Sequence, residues 1–125
     1  MGKCILIVDD NPTNLKLASR VLENEGYQID LASSADEAQE LLQHMRPDLI
    51  LMDIALPGMD GLAFTRQLKA DGRLKDIPIV AMTAFAMKGD DRRALEAGCE
   101  GYITKPIDTR KFPRQIAGFL GRKDR

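Results

Sequence analysis

Two hydrophobic periods alternate along the chain. Lys3–Asp9 carries an apolar, β-branched run that suits a strand buried on both faces. It stops at Asp9-Asp10-Asn11-Pro12, turn chemistry that caps a helix with Pro12 at or near its first position. Leu15, Ala18, Val21 and Leu22 then recur at helical spacing, and Gly26 ends that helix. Tyr27–Ala32 reads as a second strand. Ser34-Ala35-Asp36-Glu37 is a capping box, followed by a helix with Ala38, Leu41, Leu42 and Met45 inward and Pro47 closing it. Asp48–Asp53 is a third strand, again ending in Asp, and Leu56–Gly61 is a turn-rich loop. Leu62–Ala70 is a helix stopped by Asp71-Gly72, and Ile77–Met82 a fourth strand. Asp90–Ala97 is a short helix, Tyr102–Thr104 a short fifth strand and Thr109–Leu120 a last helix with Ile116, Phe119 and Leu120 inward.

Strands and helices in strict alternation, with no linker, predict an α/β domain with a parallel sheet covered on both faces. At 125 residues the chain fits one domain over 1–125, with 121–125 as a frayed tail. No apolar run approaches the roughly 20 residues of a membrane helix. The N-terminus lacks the pattern of a signal or transit peptide, so a cytoplasmic location is expected. Lys and Arg total 18 and Asp and Glu 19, a net charge of −1, which argues against direct nucleic-acid binding. Cys4 and Cys99 lack metal-ligand spacing and are expected to be reduced core thiols. The one histidine, His44, cannot by itself build a His-based metal site or a catalytic triad.

In an open parallel sheet, ligands bind beyond the carboxyl ends of the strands. Those ends here are Asp9-Asp10, Asp53, Thr83 and Lys105; only the second strand ends blandly, in Ala32-Ser33. A strand-end Asp alone is ordinarily a helix cap, a Thr a turn residue and a Lys a solvated charge. Together they form a site. Two carboxylates about 5 Å apart repel by roughly 3 kcal/mol at an effective dielectric near 20. Three carboxylates and one ammonium sum to −3 + 1 = −2, which one divalent ion cancels. Oxygen-only ligands favour Mg²⁺ with a phosphate. Thr83 and Lys105 are placed to hold phosphoryl oxygens.

These residues make the chain recognisable. Val8-Asp9-Asp10, Leu51-Met52-Asp53 with Leu56-Pro57-Gly58-Met59-Asp60-Gly61, Thr83-Ala84, and Tyr102 ahead of Lys105-Pro106 resemble the receiver domain of bacterial two-component response regulators. Thr83–Asp90 and Gly98-Cys99 resemble the DivK type of single-domain cell-cycle regulator. The resemblance implies a flavodoxin-like (βα)5 doubly wound sheet in strand order 2-1-3-4-5. It implies that Asp53 is the phosphoacceptor, taking its group from a phosphohistidine of a sensor histidine kinase or phosphotransferase. It implies Mg²⁺ on Asp10, Asp53 and the backbone carbonyl of Ala55, with Asp9 acting mainly through water. Thr83 and Lys105 would grip the phosphoryl group, Tyr102 would be the switch aromatic, and the Lys105–Pro106 bond would be cis. Ala55 and Phe85 occupy the positions that tune hydrolysis in the family.

Such a chain is a phosphoacceptor that assists its own phosphorylation and dephosphorylation, not an enzyme acting on others. With no output domain in the sequence, the signal is expected to leave through contacts with a target protein. Arg92, Arg93, Tyr102, Arg110, Lys111 and Arg114 lie on the elements that receivers commonly use for this. A Mg²⁺-dependent phosphatase is the competing reading; it calls for a second Asp two residues after the nucleophile, where Ala55 stands. A flavin module calls for a phosphate loop after the first strand, where Asp9-Asp10 would repel it. A receiver excised from a hybrid kinase or multidomain regulator would share these motifs; Met1 and the charged tail lead us to expect a complete protein.

Overall fold

The computed structural model describes residues 2–54, 61–83, 90–105 and 107–123; of Thr83, Asp90, Asp91, Arg122 and Lys123 it describes the backbone alone. Five strands and five helices alternate: β1 (Cys4–Val8), α1 (Pro12–Asn24), β2 (Gln28–Ala32), α2 (Ala35–Leu42), β3 (Leu49–Asp53), α3 (Gly61–Ala70), β4 (Ile79–Thr83), α4 (Asp90–Ala97), β5 (Gly101–Thr104) and α5 (Phe112–Lys123). The strands form one sheet in the order β2-β1-β3-β4-β5, with every pairing parallel. This is the doubly wound, flavodoxin-like order that the sequence motifs imply.

The two-faced burial follows from the period-2 geometry of a strand. Leu6 and Val8 of β1 point into one core, with Ile50 and Met52 of β3 and the buried faces of α2, α3 and α4. Ile5 and Ile7 point into the other, with Leu49 and Leu51 and the buried faces of α1 and α5. All four β1 residues are fully buried. A strand enclosed on both sides has no place for a polar residue until it leaves the sheet, so its first free polar position is its carboxyl end.

The helix caps fix where each chain segment turns away. Asn11 Oδ1 accepts from the Thr13 and Asn14 N–H groups, with Pro12 opening α1. Ser34 Oγ accepts from the Glu37 N–H at 3.1 Å. The return half of the capping box goes one residue further back: the Glu37 carboxylate accepts from the Ser33 N–H and hydroxyl. Gly26 (φ 93°) and Gly98 (φ 113°) take the left-handed turn that stops α1 and α4.

Three elements differ from the sequence pattern by more than one residue. Ile77 belongs to a turn, its N–H bonded to Leu74 O, and β4 begins only after Pro78. The regular part of α2 ends at Leu42, and the chain beyond it closes in turns in which His44 and Met45 bond back to Leu41 O. Helix α5 starts at Phe112, not Thr109, and runs on to Lys123. The Asp108 carboxylate holds the Arg110 and Lys111 N–H groups in a preceding turn, which delays the helix. Cys99 is buried as expected, but Cys4 is only half-buried. Its thiol donates to Asp30 Oδ2 at 3.5 Å, and burial together with Asp30 pushes it up to about 11.

Candidate functional site

The register of β1 and β3 builds the site. Val8 pairs with Met52, so Asp9 and Asp53 emerge side by side at the same sheet edge. Asp9 is held by its own backbone, its N–H donating to Ala32 O at 3.0 Å. Its Oδ1 accepts from the Asn11 N–H at 2.9 Å. Asp9 is fully buried and Asp53 is 4% exposed, whereas Asp10 points to solvent. One carboxylate oxygen from each of Asp9, Asp10 and Asp53 lies within 4.8 Å of the others.

Lys105, one residue past β5, reaches across the end of β4 into this cluster. Its Nζ lies 2.6 Å from Asp9 Oδ2 and 3.2 Å from Asp53 Oδ2. The ammonium donates a hydrogen bond to Asp53. It also meets Asp9 Oδ2 in a close, charge-assisted contact. Burial raises the Asp9 carboxyl above its usual 3.8, Lys105 and the Asn11 N–H pull it down less strongly, and Asp53 adds to the rise. Burial alone would lower Lys105; its contacts with Asp9 and the charge of Asp53 outweigh that and raise it. The pocket therefore holds more negative charge than one ammonium neutralises. Two enclosed carboxylates that share one ammonium, beside a solvent-facing Asp10, fit a hard divalent cation that keeps part of its water.

The sequence pattern brings out Asp9, Asp10, Asp53 and Lys105, and the fold brings all four together. Tyr102 is half-buried on β5, packed against the core beneath α4. Ala55, Phe85, Pro106 and the side chain of Thr83 lie outside the described residues.

One positioning element is visible only in the structure. A Cβ built on Gly61 would lie 2.3 Å from Asp53 O and 2.7 Å from Ile54 Cα. The Gly61 N–H meanwhile donates to Ile54 O at 3.2 Å. Helix α3 thus begins in direct contact with the backbone that presents Asp53. In an exposed helix, Gly→Ala stabilises by up to about 1 kcal/mol. Here both obstacles are backbone, so Gly61→Ala is expected to cost about 2 kcal/mol in urea unfolding. A stabilised variant would show that the contact is not tight.

A family model for the response regulator receiver domain matches residues 5–117. The chain belongs to the response regulator receiver family. The polar-differentiation response regulator DivK of Brucella anthropi is 47% identical over 121 residues, covering 97% of this chain and 98% of that protein. The receiver domain of a Pseudomonas aeruginosa sensor histidine kinase, solved with magnesium coordinated in its active-site cleft, superposes with a TM-score of 0.87. It is 35% identical and covers 97% of this chain and 99% of that one. A CheY-like receiver from Methanospirillum hungatei superposes with a TM-score of 0.90 at 29% identity, covering 99% and 98%. This receiver is DivK-like and acts in two-component signalling. Receiver domains bind Mg²⁺ at an acidic pocket and interact with histidine kinases and downstream targets. Among the described residues no helix is long and apolar enough to cross a membrane.

Proposed function

We propose that the chain is a single-domain phosphorylation switch of the cytoplasm, with Asp53 as phosphoacceptor. The observation that carries this is the cluster of enclosed Asp9 and Asp53 with solvent-facing Asp10, and Lys105 reaching into it. An Asp53 carboxylate oxygen attacks the phosphorus of a phosphohistidine on a sensor kinase or phosphotransferase. The new P–O bond forms as the P–N bond breaks, and the electron pair returns to the imidazole nitrogen. Lys105, already 3.2 Å from Asp53 Oδ2, pairs with an oxygen of the arriving group. Thr83, which ends β4 beside Thr104 of β5, takes another. Asp10, Asp53 and the Ala55 carbonyl would hold Mg²⁺, with Asp9 behind a water. The bound ion supplies positive charge against the phosphoryl oxygens.

Readout runs through protein contacts. Drawing the Thr83 hydroxyl toward a phosphoryl group frees space in which the Tyr102 ring can turn inward, changing the surface it shares with Arg92 and Arg110. A cavity of about 370 Å³ opens beside this strand, lined by Tyr102, Thr104, Asp108 and Lys111 among others. It lies apart from the carboxylates and suits a partner rather than the chemistry. Ala55 and Phe85 bear on the lifetime of the phosphorylated state, Ala55 having no polar group to orient an attacking water.

The test is intact-mass spectrometry after incubation with acetyl phosphate, with Mg²⁺ or with chelator. One phosphoryl group should appear only with Mg²⁺, and none on Asp53→Asn. Equal labelling of that variant would remove Asp53 from its role. In the same sample, a Tyr102 ring signal unmoved by phosphorylation would remove Tyr102 from the switch.

A further inference from the structure

The turn between β1 and α1 places a neutral side chain beside the acidic pocket. Asn11 stands two residues after Asp9 and is exposed. Its N–H donates to Asp9 Oδ1 at 2.9 Å, which leaves Oδ2 for Lys105. Its side-chain oxygen accepts from the Thr13 and Asn14 N–H groups at 2.9 and 3.3 Å. Its carbonyl accepts from the Leu15 N–H at 3.1 Å. Pro12 has no N–H, so every donor in the first turn of α1 is engaged within the turn. Asn and Asp cap a helix about equally well, and the dipole at a helix start favours Asp. Helix α2, which starts beyond the bland end of β2, carries Asp36 and Glu37 in its first turn. Helices α1 and α3, which start against Asp9 and Asp53, carry no acid there.

We infer that Asn11 determines how tightly the pocket holds Mg²⁺, its uncharged cap keeping a fourth carboxylate away from Asp9, Asp10 and Asp53. This rests on the reading of that cluster as the Mg²⁺ site of a phosphoacceptor. With Lys105 the pocket carries −3 + 1 = −2, which one divalent ion cancels. A carboxylate on residue 11 would stand inside the Debye length, about 8 Å in physiological salt, of the Asp9 oxygen that the residue's own N–H touches. The sum would become −3. The ion would then bind more tightly, and the metal-free protein would lose stability, because repulsion from the cluster outweighs the gain at one helix dipole. The cap by itself explains a Ser, Thr, Asn or Asp at this position. It does not explain why the side chain is neutral, and the charge of the pocket does.

The test compares wild type with Asn11→Asp and Asn11→Ser, all three of which keep a cap. Melting temperature is followed against Mg²⁺ concentration for each. The concentration that raises it by a fixed interval should be about fivefold lower in Asn11→Asp and unchanged in Asn11→Ser. Without the ion, Asn11→Asp should melt roughly 5 °C below wild type, and Asn11→Ser close to it. In roughly 0.5 M KCl, where the Debye length falls below about 5 Å, both differences should shrink. A wild-type Mg²⁺ response in Asn11→Asp, or an equal shift in Asn11→Ser, would overturn the inference while leaving the cation site in place. A shift that KCl leaves untouched would overturn it too, since turn geometry and not charge would then be the cause. If the melting temperature of wild type ignores Mg²⁺, the reading of the cluster as a cation site falls first, and this inference with it.

Discussion

Replacing Lys105 with Met is expected to lower folding stability by about 3 kcal/mol at neutral pH without divalent metal, because removing one member of an enclosed charge pair strands the other. Two carboxylates are stranded here: Asp9 is fully buried, Asp53 is 4% exposed, and Lys105 lies within 3.2 Å of both. The deficit should depend on pH in a defined direction. Burial already raises the folded Asp9 carboxyl above 3.8, and losing the ammonium raises it further. An acid whose folded value is raised binds more protons folded than unfolded, so stability falls as pH climbs from 3.8 through the folded value. The deficit should accordingly be small near pH 4 and full at pH 7. In wild type the pair gives way at the other end. Lys105 is raised above 10.5, so its contribution is complete below 10.5 and fades above it. Urea unfolding at both pH values decides it. Adding Asp9→Asn to Lys105→Met should return much of the loss, since the enclosed oxygen then carries no charge. A deficit that is equal at pH 4 and pH 7, or untouched by Asp9→Asn, would mean that Lys105 matters through its stem and not its charge.

Legibility in the sequence differed with the kind of signal. The strands were readable because both of their faces are buried: Leu49–Asp53 lies within one residue of the run that predicts it. Ile77 was misleading for the same reason. It is fully buried, and apolar character reports burial, not the backbone conformation that delivers it. The start of α5 was hidden because Asp108 captures two N–H groups with its carboxylate, a local competition that periodicity does not register. Asp9, Asp53 and Lys105 were legible as a site because charge at the end of an apolar strand is costly unless used, and three such ends coincide on one sheet edge. Gly61 read as turn chemistry; its steric role against Asp53 depends on an approach that only coordinates give. The apolar run around Cys4 suggests a core thiol, but β1 begins at the sheet's amino end, where Asp30 of the neighbouring strand sits beside it.

Asp10 and Asp9 are neighbours in sequence with opposite surroundings, and this sets the response to Mg²⁺. Asp9 is enclosed, with Oδ1 on the Asn11 N–H and Oδ2 against Lys105. Asp10 faces solvent, where an ion retaining several waters can reach it. Ion binding to the folded state stabilises it by RT ln(1 + [L]/Kd), about 1.4 kcal/mol at tenfold excess over Kd, or roughly 5 °C in melting temperature for a domain of this size. Asp10→Ala is expected to abolish that gain. Without metal the same substitution should leave the protein at least as stable as wild type, because it removes one of three mutually repelling carboxylates. The two curves of melting temperature against Mg²⁺ should therefore cross or converge, wild type rising and Asp10→Ala staying flat. Asp9→Asn provides the contrast: its ion response should be weakened but present, since its carboxylate is already engaged by Asn11 and Lys105. If Asp10→Ala rises with Mg²⁺ as wild type does while Asp9→Asn stays flat, the ion's direct ligand is the buried aspartate and the roles assigned to the two neighbours must be exchanged.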